Sequence, residues 1–370
     1  MPAVDPHRPL RVAVAGFGQA GGCHVQTWAS MPGATIVGVY SLRPDVEATA
    51  IAAMCGKDVP LYSNYYGMLD ETGCDFVSIC TLHDTHAAEA IAAAERGKHF
   101  IVEKPICLTP EDLFAVRRAV DKAGVRAFVG FQEFHYGQLQ ATIEAVAKGW
   151  LGRVHLAEIE YFNGIGPWVR QHWWARTRKL GGSSMLFCGC HPLMLMMLVM
   201  KGARVKEVQA FATSSSAKDF AGLEYPATQV NLISFDDGRV GKVTSCLDSL
   251  NPYYWRNSLI GSEGTLIDTR IMSRVMLPGL DAHGWQQLAT RSINDAGDIT
   301  PDMFRPMFER ILANLVADAP MPYSGFDEAW EMHRVLFACD ESARSGRIVA
   351  PDAFLPVTGA DGADSQAEVR

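Results

Sequence analysis

The sequence predicts an α/β protein of two domains, one built on a parallel sheet and a second built on largely antiparallel strands. Three observations carry this. Apolar runs rich in β-branched residues alternate with Ala-rich segments over roughly the first 130 residues, and that alternation implies a parallel sheet covered on both faces. After about residue 150 the pattern changes to the apolar–polar alternation of half-buried strands. A chain of 370 residues is also long for a single hydrophobic core.

The first strand is predicted at 11–16, "RVAVAG", with glycines directly behind it. Further strands are predicted at 34–41 (ATIVGVYS), 75–81 (DFVSICT), 99–105 (HFIVEKP) and 126–131 (RAFVGF). Between them, DVEATAIAAMC, THAAEAIAAAERG and PEDLFAVRRAVDKAG carry helix formers at helical spacing and often end in glycine. In the second half, 153–162, 227–235 and 239–247 read as strands, with Asp237-Gly238 placed for a tight hairpin. Residues 302–318 and 326–345 read as helices packing near the end of that domain, and the polar DGADSQAEVR as a frayed tail. There is no internal repeat.

The composition, 48% hydrophobic and 20% charged, is that of a soluble globular protein. A net charge of -8 without any basic run argues against a nucleic-acid partner. The N-terminal MPAVDPHRPL has no apolar core of a secretory signal, and the longest apolar run, Met185 to Met200, reads as too short to span a bilayer. Nine irregularly spaced cysteines suit a reducing compartment, and the expectation is a cytoplasmic protein.

"GFGQAG" sets Gly16, Gly18 and Gly21 between a strand and a helix, enclosing Phe17, Gln19 and Ala20. Each glycine has a task in a dinucleotide site: a tight turn, close approach to a pyrophosphate, and close helix–strand packing. The helix N-terminus then offers free N–H groups to the anion. The end of the second strand separates NAD from NADP, because NAD sites usually carry an acid there. Here Ser41 stands in that place and Arg43 two residues on, a hydroxyl and a guanidinium suited to a 2′-phosphate. NADP(H) is favoured, with NAD(H) as the alternative.

"IVEKP" places Glu103, Lys104 and Pro105 at the C-terminal end of a parallel strand, the edge where such sheets bind ligands. Alcohol oxidation needs a base for the hydroxyl proton. Lys104 suits that role if desolvation and cationic neighbours lower its pKa. A cis bond before Pro105 is an open alternative.

In this order, GFGQAG, TLHDTH (81–86), EKP (103–105), GG…GCH (181–191) and GSEGTL (261–266) resemble the Gfo/Idh/MocA oxidoreductases over roughly residues 10–350. The resemblance implies a Rossmann dinucleotide-binding domain (1–132), an open-sheet α/β substrate-binding and oligomerisation domain (133–350) and a tail (351–370). It implies NAD(P)-dependent redox chemistry on sugars, inositols or related polyols, and a homodimer or homotetramer. Lys104 then matches the catalytic lysine and Glu103 its cofactor-side partner. Thr81, His83 and His86 lie in the loop under the cofactor, with Gln132 also on the cofactor side. His191 matches the histidine that meets the reacting hydroxyl or carbonyl. Many relatives carry an aspartate four residues before that histidine and another three after it; here those places hold Phe187 and Met194. Phe134 likewise stands where an arginine is often found.

"GPWVRQHWWARTRK" (166–179) is dense in aromatics and arginines. Trp168, Trp173 and Trp174 can offer flat faces to a sugar ring, with Arg176 and Arg178 for polar groups; an interface or core cluster is the competing role. Tyr161, Glu133 and His135 are weaker pocket candidates. Cys188, Cys190 and His191 do not have the spacing of a structural zinc site. The methionines beyond them form an all-round apolar helix, which means burial. His191 is predicted at the start of that helix, with Pro192 in its first turn, where the dipole would favour a neutral ring. Two other functions remain in view: glycoside oxidation followed by elimination with a tightly held cofactor, and a non-enzymatic dinucleotide-binding sensor.

Overall fold

The computed structural model describes residues 4–135, 137–250, 253–276, 284–290, 299–323 and 325–354. The polar last ten residues fall outside them. Six parallel strands make the first sheet: β1 (Leu10–Ala15), β2 (Ala34–Tyr40), β3 (Leu61–Tyr62), β4 (Phe76–Ile79), β5 (His99–Val102) and β6 (Ala127–Val129). Their order is β3-β2-β1-β4-β5-β6. The order reverses between β1 and β4, which opens a crevice at the strands' C-terminal ends. Every residue of β4 and β5 is buried, as a sheet covered on both faces requires.

Helices α1 (Gln19–Ala29), α2 (Ala48–Cys55), α3 (Tyr65–Glu71), α4 (His86–Glu95) and α5 (Pro110–Ala123) connect these strands. Beyond β6 come α6 (Gly137–Ala147) and strand β7 (Val154–Phe162). Short helices α7 (Gly166–Gln171) and α8 (Arg178–Gly181) follow, then α9 (Cys190–Val199). Strands β8 (Val205–Thr213), β9 (Thr228–Phe235), β10 (Val240–Cys246) and β11 (Tyr254–Gly261) come next. The described strands end with β12 (Gly264–Ile267), β13 (Arg270–Ser273) and β14 (Gln286–Gln287). The last two long helices are α10 (Pro301–Ala317) and α11 (Phe326–Ser345).

The second sheet has eight strands in the order β14-β13-β12-β11-β7-β10-β9-β8. Only β7 and β10 run parallel; the other pairs are antiparallel, so the sheet is largely antiparallel as predicted. The β9–β10 hairpin turns through Gly238 at φ +85. One face is covered by α9 and α11. The other leaves Phe211, Leu232, Val240 and Tyr254 exposed.

Two expectations about helices change. The helix predicted at 302–318 is α10, and it packs on α1 in the first domain's core, not at the end of the second sheet. Its residues Met303, Phe304, Met307, Phe308 and Ile311 form one apolar face, and Trp28 stacks on Phe308 at 4.3 Å between ring centroids. Periodicity marks such a face without saying which sheet receives it. The apolar run also belongs to a longer helical stretch, Arg178–Val199, whose 22 residues are long and apolar enough to cross a membrane. Its side chains are nonetheless buried within the domain, which is the behaviour of a core helix.

Candidate active site

The glycine loop closes the N-terminal side of the crevice. Gly16 has φ +90, and a Cβ there would run into the Cys80 carbonyl at the end of β4. A Cβ on Gly21 would strike the Gly16 carbonyl, so α1 lies close to β1 only because this residue has no side chain. Nothing lies within 4 Å of the Cβ position of Gly18, which caps α1 without a side-chain hydrogen bond. Gln19 and Ala20 open that helix, so unclaimed N–H groups face the space above Gly18. Arg43 reaches toward this loop, donating to the Phe17 carbonyl at 3.4 Å, and its backbone N–H donates to Ser41 Oγ at 3.2 Å. The guanidinium also pairs with Asp45, through Nε to Oδ1 at 3.0 Å and a second, shorter bond. Sequence reading did not single out Asp45.

Strand β5 delivers Glu103 and Lys104 to the same edge, and the Lys104–Pro105 peptide is cis. Glu103 Oε1 lies 3.2 Å from His24 Nε2 on α1, and His24 Nδ1 lies 3.2 Å from Cys80 Sγ. Gly130 makes room for this carboxylate, since a Cβ there would overlap it. His24 escaped sequence reading because nothing in an Ala-rich helix pattern marks a buried histidine. Thr81 donates to Glu89, and His86 places Nδ1 2.8 Å from the Pro105 carbonyl and Nε2 3.2 Å from that of Thr81. Thr81 and His86 therefore shape the loop ahead of α4.

Lys104 Nζ donates to the Phe187 carbonyl at 3.1 Å and lies 5.5 Å from the centre of that ring. Its neighbours are not the cationic ones expected. Burial pulls its pKa down, but Cys190, Cys188 and the carboxyl groups of Glu103 and Glu133 outweigh it and hold the value above that of an ordinary lysine. Burial pushes the Cys188 and Cys190 thiols themselves up to about 12. Lys104 thus rests as an ammonium.

Phe187 belongs to a π-helical turn, Met185–Gly189, that runs directly into α9. Helical backbone resumes at Ser184 after a break at Gly182 and Ser183, and Ser183 caps it, accepting from the Leu186 N–H at 3.0 Å and donating to Asp340 at 2.6 Å. His191 therefore lies inside a continuous helix and not at its first turn. The π-turn, invisible to a 3.6-residue periodicity, moves the helix start upstream. The ring is neutral for a different reason: burial lowers its pKa well below 6.5, and Lys104 lowers it further.

Around these residues the structure gathers Glu133, Tyr161, His83 and an aromatic group. His191 Nδ1 lies 3.9 Å from Glu133 Oε2, and its ring meets Tyr161 edge-on at 5.8 Å. Glu133 is raised to about 7 by burial, opposed by hydrogen bonding from Tyr253 and by the Lys104 charge. Tyr161 stacks on Trp255 at 4.3 Å and meets Tyr253 at 5.1 Å. Trp168, Trp174 and Phe187 form a box with ring centroids 5.6 to 5.9 Å apart, and His83 packs against Trp174 and Phe187. The remaining candidates make other contacts. Trp173 is 68% exposed and joins no aromatic contact among the described residues. Arg176 donates to the Ala221 carbonyl, whereas the Arg178 charge bears on buried Asp340 and Tyr225. Met194 is wholly buried, and His135 packs against Tyr323 at 4.9 Å.

The crevice fits a dinucleotide on structural grounds. The glycine loop holds an open cradle at a helix N-terminus, and His83 Nδ1, Gln132 Oε1, Glu133 Oε2 and His191 Nδ1 are buried without a hydrogen-bond partner. Residues 10–131 match the model of the Gfo/Idh/MocA oxidoreductase family, NAD-binding Rossmann fold. Residues 139–267 match that family's C-terminal domain. The chain belongs to the Gfo/Idh/MocA oxidoreductases. It is therefore an NAD(P)-dependent oxidoreductase of the dehydrogenase type.

Myo-inositol 2-dehydrogenase of Thermotoga maritima is 23% identical over 257 residues, 70% of this chain and 74% of that one. A glycosyl hydrolase family 109 protein of Shewanella pealeana is 22% identical, covering 93% of this chain and 85% of that one. Among solved structures, levoglucosan dehydrogenase in complex with NADH and levoglucosan superposes with TM-score 0.79 at 19% identity, over 93% of this chain and 99% of that one. That likeness is one of fold.

Proposed function

We propose that this Gfo/Idh/MocA oxidoreductase moves a hydride between NADP(H) and a carbohydrate-like alcohol or ketone, a sugar, glycoside or inositol, with Lys104 and His191 handling the proton. The observation that carries the reading is the Lys104 Nζ bond to Phe187 at 3.1 Å, which ties the end of β5 to the helix carrying His191 in one buried site. A bound dinucleotide would be held by the glycine loop, with Glu103 and Gln132 lining the crevice, and would supply the hydride acceptor or donor. An ammonium has three N–H groups, and the Phe187 carbonyl takes one, so others remain for a substrate oxygen. They stabilise negative charge on that oxygen as its proton leaves. His191, neutral at rest, accepts the proton in oxidation and returns it in reduction. The Trp168, Trp174 and Phe187 box offers apolar faces to the C–H side of a ring, and Tyr161 packs edge-on against His191.

NADP(H) is preferred over NAD(H) in this reading because Arg43 lies against the glycine loop with Ser41 beside it. A 2′-phosphate would take the place of Asp45 at the guanidinium. The exposed outer face of the second sheet, with Phe211, Leu232, Val240 and Tyr254, suits pairing of two copies face to face in the cytoplasm. The similarity to glycosyl hydrolase family 109 proteins favours a second reading, transient oxidation followed by elimination with retained cofactor. A screen of sugars, glycosides and inositols against NADP+ and NAD+ separates these. The first reading predicts stoichiometric NADPH from at least one substrate. Glycoside cleavage without net NADPH selects the second, and neither outcome with any substrate refutes both.

A further inference from the structure

Two buried polar atoms in the site face one another without any partner. Glu133 is 5% exposed and His191 3% exposed, and Glu133 Oε2 and His191 Nδ1 lie 3.9 Å apart. Of the two ring nitrogens only Nδ1 is sealed away unpartnered. They come from distant segments: Glu133 from the turn Gln132–His135 after β6, and His191 from α9. We propose that Glu133 is the positioning residue of His191, fixing the Nδ1 proton toward its carboxylate so that Nε2 is presented to the reacting hydroxyl. The inference rests on the dehydrogenase reading above and adds a residue to it.

The chemistry follows from how a carboxylate acts on an imidazole. An ionised Glu133 holds the tautomer with hydrogen on Nδ1, leaving the Nε2 lone pair free, and stabilises the imidazolium formed during reaction. In oxidation the substrate O–H bond breaks and an Nε2–H bond forms on that lone pair. The two electrons of the C–H bond leave as hydride to the nicotinamide, and the carbonyl C=O forms. Reduction is the reverse. The acid thus reaches the histidine from the loop after β6, where the helix itself offers only Phe187 and Met194 at the flanking positions. The 3.9 Å gap is longer than a hydrogen bond and closes by a small side-chain movement when the crevice fills.

A structural alternative is a carboxyl group that stays neutral and merely fills space. The groups facing Glu133 are Lys104 and Glu103 at the end of β5, Tyr161 on β7, Tyr253 ahead of β11, and Cys188, Cys190 and His191 on the helix. Burial sets it to titrate about 7, so the carboxylate form required here is populated from neutrality upward.

The test compares wild type with the near-isosteric Glu133→Gln and with Glu133→Asp. Glu133→Gln is expected to lower kcat for oxidation by about 10- to 100-fold, with NADPH affinity by fluorescence close to wild type and no loss of melting temperature. It removes the rise in kcat through neutral pH, and Glu133→Asp restores part of both. Wild-type kcat and an unchanged pH profile in Glu133→Gln overturn the proposal and leave the dehydrogenase reading standing. Infrared difference spectra across neutral pH give a readout without turnover. Wild type must lose a protonated-carboxyl band as pH rises that Glu133→Gln lacks. A protonated-carboxyl band of Glu133 that persists through the pH range of activity overturns the proposal even where no substrate has been found, whereas absence of any turnover by wild type counts against the proposed function alone.

Discussion

The two ends of the cofactor crevice are built on different principles. At the glycine-loop end the backbone does the shaping: Gly16 and Gly21 let chain segments pass where a Cβ would strike backbone, Gly18 leaves the cradle open, and the side chains present, Arg43 and Asp45, are 57% and 61% exposed. At the proton end the side chains do the shaping: Lys104, His191 and Glu133 are packed among aromatic rings, and burial moves the pKa of His191 down and of Glu133 up. The difference teaches where each property is fixed. Binding geometry is fixed by chain path and is insensitive to pH. Protonation is fixed by desolvation, which acts on each group without regard to its neighbours in sequence.

The sharpest way to break this comparison is His191→Ala. The account expects kcat to fall by about 10²- to 10⁴-fold with NADPH affinity unchanged, because the loss lies wholly at the proton end. Full activity in steady-state assays removes His191 from the proton path. Next in size is Arg43→Ala, which acts only at the other end. It is expected to weaken NADP+ by about 10- to 100-fold in a binding titration, the worth of a charge-assisted bond pair, and to leave NAD+ within a fewfold. Equal affinities for both cofactors in wild type would refute the NADP preference. Smaller again, Trp168→Ala is expected to raise KM for the sugar-like substrate about tenfold through lost ring contact. Trp173→Ala, on an exposed ring, is expected to leave KM unchanged.

Stability offers a fourth, quieter contrast. Glu133 and Asp340 are raised to about 7 and about 6 by burial, so folding favours their protonated forms. A group raised on folding contributes stability fully below its unfolded value, and that contribution is lost as pH rises through the folded value. Each amounts to something of the order of 3 kcal/mol. The melting temperature is expected to decline as pH rises from about 4 to 7, and Glu133→Gln to flatten that decline. An unchanged slope in scanning calorimetry would show that Glu133 is not held neutral by burial.

Much of the first domain could be read directly. Its strands are short apolar runs, its helices end in glycine, and the glycine loop has one residue per task. The boundary strands β3 and β14, two residues each, carry too little pattern to detect. Lys104 and His191 were visible as positions because each sits in a local motif. Their surroundings were not. The π-turn of Met185–Gly189, the approach of Glu133 to His191 and the His24–Glu103 contact all depend on elements brought together in space. The tryptophan run divides for the same reason. Helical turns between 166 and 176 aim Trp168 and Trp174 inward and leave Trp173 outside.

The central claim is that Lys104 serves the chemistry of a nicotinamide-dependent reaction on a carbohydrate-like alcohol. The measurement that tests it most directly is NADPH formation across a panel of sugars, glycosides and inositols, run with wild type and Lys104→Ala at matched cofactor saturation. The account predicts that at least one substrate yields NADPH with wild type, and that Lys104→Ala binds NADPH normally while losing about 10²-fold or more in rate. A Lys104→Ala protein that turns over the same substrate at the wild-type rate would contradict it.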